Sequence, residues 1–117
     1  MSVEVRSWRG LERFGAEGME KVNLFETERC FCDLYCLRPG QAQKLHTHAA
    51  SDKVYAVLRG EVVATVGAES RPLLAGEAVL ARAGEPHGVR NGSGEDAVCL
   101  VFMAPHPGFK PRPSSGS

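Results

Sequence analysis

Two histidines one residue apart, His46 and His48, and a third at His87 are the residues of this chain best suited to chemistry. A neutral imidazole offers one ring nitrogen as a lone pair while a hydrogen bond to the other fixes its tautomer, which makes histidine the commonest metal ligand. On a β-strand, positions i and i+2 share a face, so His46 and His48 are expected side by side on a strand and close enough to grip one ion. With His87 they would supply three nitrogens to one divalent metal. Such donors accept Zn, Fe, Mn, Ni or Cu, and the choice depends on geometry and supply.

The punctuation around these histidines sharpens the pattern. A five-residue spacer separates Gly40 from His46 and Gly60 follows the apolar run 53–59, while Gly76, Arg82, Gly84, His87 and Asn91 recur as G-x5-R-x-G-x2-H-x3-N. The arrangement resembles the two-motif signature of the cupin superfamily, G-x5-H-x-H-x3,4-E-x6-G and G-x5-P-x-G-x2-H-x3-N. It is similar in particular to small single-domain bacterial cupins, whose closing strand Val101-Phe102-Met103-Ala104-Pro105 also resembles. The resemblance implies an all-β double-stranded β-helix, a jelly-roll barrel. It also implies a metal held by His46, His48 and His87.

Two positions depart from that signature. Arg82 replaces a proline and keeps the turn polar. Lys53 stands where the family has its carboxylate ligand, and an ammonium has no lone pair to give a metal. Asp52, one residue earlier, fills the role only if a bulge re-aims it, because Lys53, Tyr55 and Val57 facing inward would turn Asp52 outward. Lys53 has two readings: a stem that snorkels its ammonium to water at the barrel mouth, or a partly desolvated cation that attracts an anionic substrate or acts as a base. Tyr55 is either a cavity-lining hydroxyl near the metal or a core aromatic with its hydroxyl at the surface. Lys53 and Tyr55 are the candidate catalytic side chains; Gln41, Gln43 and Arg90 belong to the cavity rim or to an outer surface.

The elements that would position these groups are short strands. Runs rich in Val, Leu, Phe and Tyr cover 21–26, 29–38, 53–59, 61–66, 77–82, 88–91 and 97–104, separated by Gly and Pro turns. Gly40, Gly60, Gly76 and Gly84 are expected at turns with positive φ, and Asn91 is expected to tie down a turn with its side chain. Helix is nearly absent: the one candidate, around 8–16, is interrupted by Gly10, Gly15 and Gly18 and is expected to make at most one or two turns. The chain divides into an N-terminal segment 1–28 with a possible dimer contact and Trp8 in a core or contact role, a barrel 29–105, and a flexible tail 106–117, disordered from about 108. His106 is expected to be an exposed tail residue. Cys30, Cys32, Cys36 and Cys99 read as buried, reduced thiols, because C-x-C-x3-C without a second pair is not zinc-knuckle spacing.

At 117 residues, with 43% hydrophobic and 24% charged, the chain is one globular domain. Fourteen basic and fourteen acidic side chains balance, and no basic run is interleaved with aromatics, which argues against nucleic acid. No stretch approaches a membrane span, and the N-terminus lacks the apolar core of a secretion signal, so a cytoplasmic protein is expected. The resemblance implies a metal-dependent enzyme of dioxygenase or isomerase type acting on a small polar or anionic molecule. A non-catalytic cupin that binds or senses a metabolite is the alternative, and a barrel that binds no metal is a third. A homodimer is expected by resemblance and because sheet edges need covering.

Overall fold

The computed structural model describes residues 2–108 and contains nine strands. In chain order they are β1 (Glu20–Glu26), β2 (Phe31–Leu37), β3 (Ala42–His46), β4 (Asp52–Arg59), β5 (Glu61–Val66), β6 (Glu69–Leu74), β7 (Ala78–Ala81), β8 (His87–Arg90) and β9 (Ala97–Ala104). Seven match the apolar runs of the sequence. β6, Glu69-Ser70-Arg71-Pro72-Leu73-Leu74, is strongly polar and carries a proline. It is an edge strand, paired with β5 alone, where missing donors and charged side chains are tolerated.

The strands form two antiparallel sheets, ordered β1-β2-β9-β4-β7 and β3-β8-β5-β6. Period-two alternation decides what lies between them. Along β4, Lys53, Tyr55 and Val57 are buried while Asp52 is exposed. Tyr35, Leu37, Tyr55, Val57, Val62, Ala64, Val89, Cys99 and Val101 make the enclosed core. A second cluster, Leu24, Leu34, Cys36 and Val98, lies on the other face of the five-stranded sheet under Trp8 and Phe14. The N-terminal segment therefore covers that face without regular structure: residues 8–11 form a single turn, closed by Leu11 N–H donating to Trp8 O at 3.1 Å, within the one or two turns at most that the sequence allows. Glycine at 10, 15 and 18 removes the propensity that two helical turns would need.

Gly40, Gly60, Gly76 and Gly84 all have positive φ, as expected. Gly60 is the most constrained, since at φ 79° a Cβ would lie 2.6 Å from Asp96 O. It allows the β4–β5 turn to pass directly over the start of β9.

His106 corrects a second expectation. Its Nε2 lies 2.6 Å from Glu26 Oε2, its ring meets Phe31 edge-on at 5.3 Å, and its backbone N–H donates to Arg29 O. It is half-buried and pins the end of β9 to the β1–β2 corner. The tail beyond 108, expected to be disordered, lies outside the described residues. No helix among the described residues is long and apolar enough to cross a membrane.

Candidate metal centre

β3 ends at His46 and β8 begins at His87, and the antiparallel register places the two directly opposite each other. The pairing runs Gln43 to Val89, then His46 to His87: three steps along β3 against two along β8. That extra residue is a β-bulge. It turns Gln43 and His46, which strict alternation would send to opposite faces, toward the same interior. Gly88 makes room for it, since a Cβ there would lie 2.8 Å from Gln43 O and 3.1 Å from Leu45 N.

His48 lies past the end of β3, in the loop before β4, and not on the strand as expected. Its carbonyl accepts Gly84 N–H at 2.9 Å, which fastens this loop to the β7–β8 turn. The three rings then stand with centroids 4.4 Å (His46–His87), 4.8 Å (His46–His48) and 5.6 Å (His48–His87) apart. One nitrogen from each falls within 4.8 Å of the others.

Hydrogen bonds settle two tautomers. His46 Nδ1 lies 2.8 Å from Lys44 O and His87 Nδ1 lies 2.9 Å from Glu85 O. A carbonyl only accepts, so each Nδ1 carries the proton and each Nε2 keeps a lone pair. His87 Nε2 is the one buried side-chain N or O atom among the described residues without a hydrogen-bond partner. Such an orphan costs about 1–3 kcal/mol unless something binds it. Burial, then neighbouring positive charge, holds His48 below its ordinary value; burial likewise holds His87 below, against the Glu85 hydrogen bond. Neutral imidazoles are what a metal needs, and the three residues could hold an ion.

Behind the histidines lies a polar network. Gln43 Oε1 accepts from Tyr55 Oη at 2.6 Å and from Lys53 Nζ at 3.1 Å, while Gln43 Nε2 donates to Tyr35 Oη at 2.9 Å. Lys53 is 1% exposed and Tyr55 fully buried, so the snorkelling reading of the lysine and the surface-hydroxyl reading of the tyrosine both fail. Burial first, then the charge of Lys21, pushes Lys53 down to about 7, with Asp33 acting the other way. Burial raises both phenols, Tyr35 to about 12, so they stay protonated. Asp52 faces outward and accepts Ala83 N–H at 2.9 Å, away from the histidines.

A cavity of about 460 Å³ opens here, lined by His46, His48, Lys53, Tyr35 and Gln43, with Lys21, Lys44, Phe31, Met103 and Pro107 completing its wall. Tyr35 is the site residue that sequence reasoning missed, and Gln43 was left undecided. Gln43 was one of three rim candidates, and only the bulge distinguishes it. Gln41 instead bonds Gly15 O and Arg38 N, and Arg90 is exposed. Asn91 is fully buried and, as expected, ties a turn: its amide donates to Leu37 O and Glu95 O, and its carbonyl accepts from Ser93. Arg82 N–H donates to Glu85 Oε1, a bond the family's proline lacks. Cys36 and Cys99 are buried, whereas Cys30 and Cys32 are only half-buried at the β2 end; all four are free thiols.

Two antiparallel sheets closed into a double-stranded β-helix, with three histidines at one mouth, define a jelly-roll protein with a candidate metal site. Residues 33–103 match the model of the cupin domain, and the chain belongs to that family. Among solved structures it is similar to TT1209 from Thermus thermophilus, at 50% identity over 88% of this chain and 98% of that one, with a TM-score of 0.86. A double-stranded β-helix protein from Klebsiella pneumoniae is 23% identical over 93% and 96% of the two chains, TM-score 0.84. A predicted oxalate decarboxylase from Thermotoga maritima is 21% identical over 79% and 96%, TM-score 0.68. The last two likenesses show the fold alone. No curated protein matches the chain.

Proposed function

We propose that this cupin is a metal-dependent enzyme of dioxygenase or isomerase type, acting on a small polar or anionic molecule in the barrel mouth. The single observation that carries the reading is the buried, unpartnered Nε2 of His87 set beside His46 and His48. One divalent ion on these three nitrogens would leave positions for substrate and act as a Lewis acid or, if iron, engage dioxygen.

The chain's own residues supply the rest. Lys53 offers positive charge toward the cavity, and Gln43 fixes both the ammonium and the Tyr55 hydroxyl, so neither must reorganise when a ligand arrives. Lys53, with its proton affinity pushed toward neutrality, is the candidate base or acid, and Tyr55 the candidate donor. One observation favours the second reading, a non-catalytic metabolite-binding cupin: among the described residues, no Asp or Glu lines the cavity.

We include a cytoplasmic homodimer in the proposal. Four sheet edges, β1, β7, β3 and β6, support pairing between copies.

Elemental analysis of the purified protein, followed by oxygen uptake with Fe(II) and a panel of diketones, phenols and thiols, tests the proposal. One equivalent of metal, lost in His46→Ala, is expected. Protein that takes up none of Zn, Fe, Mn, Ni or Cu would refute it.

A further inference from the structure

Among the described residues, Lys53 is an enclosed ammonium in no ion pair. Its Nζ is surrounded by neutral groups: the Gln43 oxygen at 3.1 Å and the faces of Tyr35 and Tyr55, with centroids at 5.2 and 5.0 Å. None of the three ion pairs among the described residues includes it. Asp33 acts on it only through space, and the Asp33 carboxyl takes the Asn23 amide at 2.8 Å. An ammonium has three N–H donors, and Gln43 uses one. Lys21 and Lys44 add further positive charge to the same wall, with no carboxylate lining it. Burying an unpaired cation costs several kcal/mol, and an anion entering the cavity would relieve that cost.

The shape of the site narrows the anion. Phosphates are most specifically held by helix N-termini, glycine-rich loops or Arg forks, lysine adding only a point charge, and among the described residues the cavity wall has the lysines without the others. It has one fixed point charge between two ring faces, with Phe31 and Met103 as apolar wall. We infer that the cavity takes a small carboxylic acid carrying a second oxygen donor, its carboxylate seated on Lys53 Nζ and its other oxygen turned to the three histidines. Only the second contact rests on the metal reading above.

Malonate is the probe, with its neutral diamide and inorganic phosphate as controls, titrated calorimetrically into metal-free and zinc-loaded protein. Metal-free wild type is expected to bind malonate saturably and not the diamide, and Lys53→Met to bind it roughly tenfold more weakly or worse, the loss of one charge-assisted hydrogen bond. Zinc-loaded protein is expected to bind more tightly than metal-free. A ¹⁵N spectrum of the lysine side chains in wild type, in which one Nζ resonance moves with malonate, gives the same answer without a variant. Equal malonate affinity in wild type and Lys53→Met, no moving Nζ resonance, or phosphate binding as tightly as malonate would each overturn the inference. Protein that binds no zinc but still binds malonate through Lys53 removes the metal reading and leaves this one standing. Zinc uptake with no malonate binding does the reverse.

Discussion

Lys53 makes the sharpest stability prediction, because its ammonium is enclosed and titrates far from its unfolded value. Its folded pKa of about 7 lies below the ordinary 10.5. Between those two values the unfolded chain holds a proton that the folded chain has released, so folding becomes more favourable as pH rises through that window. The penalty is fully present below about pH 7 and is gone above 10.5. Taken at face value the displacement corresponds to about 5 kcal/mol, and relaxation of the protein around the charge reduces this to about 2–3 kcal/mol. Lys53→Met removes the charge while keeping the volume. In metal-free protein the variant is expected to be more stable than wild type by about 2–3 kcal/mol at pH 6.5, less whatever the lost Gln43 hydrogen bond contributes, about 1 kcal/mol. Urea unfolding of both proteins at half-unit steps from pH 6.5 to 10 measures the difference, from which groups that Lys53 does not influence cancel, while His48 and His87, held below 6.5, and Asp33 titrate outside the range. Wild type should gain on the variant by as much as about 1.4 kcal/mol per pH unit near the middle of the window. Parallel stability curves would refute the reasoning, since they would mean that Lys53 keeps its proton equally well folded and unfolded.

Removing the orphaned ligand should abolish metal binding: His87→Ala is expected to weaken zinc by more than the roughly 10- to 100-fold that loss of an outer-sphere partner costs, and calorimetric titration reads this directly. In the same protein a chelator should no longer lower Tm, whereas in wild type it should. Gly88→Ala forces β3 away from β8, because the new Cβ meets Gln43 O at 2.8 Å. It should cost about 1–3 kcal/mol in urea unfolding and weaken metal binding, while Gly18→Ala, with nothing within 4 Å, should change little. His48 and His87 are held below 6.5, chiefly by burial. Metal-free protein should therefore lose stability as pH falls below 6.5, where the unfolded chain takes up protons first, and His87→Gln should flatten that loss in acid unfolding curves.

Seven of the nine strands, the positive-φ glycines, the inward face of β4 and the three histidines that come together were legible in the sequence. Each depends on local signals: period-two alternation, turn chemistry, and the few residue types that can ligate a metal. Asp52 was correctly placed outward by the same parity, because β4 is regular from Asp52 to Val57. β6 escaped notice because an edge strand needs little hydrophobic content, whereas the glycines of the 8–16 segment already limited it to the turn that it makes. His106 read as tail because its partners, Glu26 and Phe31, are distant in sequence. Gln43 could not be singled out by alternation, since a one-residue bulge opposite Gly88 reverses the parity between it and His46. Nor could residue types alone decide between the two readings of Lys53. Its enclosure under two tyrosines and one amide arises when β2, β3 and β4 converge, and desolvation is a property of everything around a charge, which no stretch of neighbours along the chain contains.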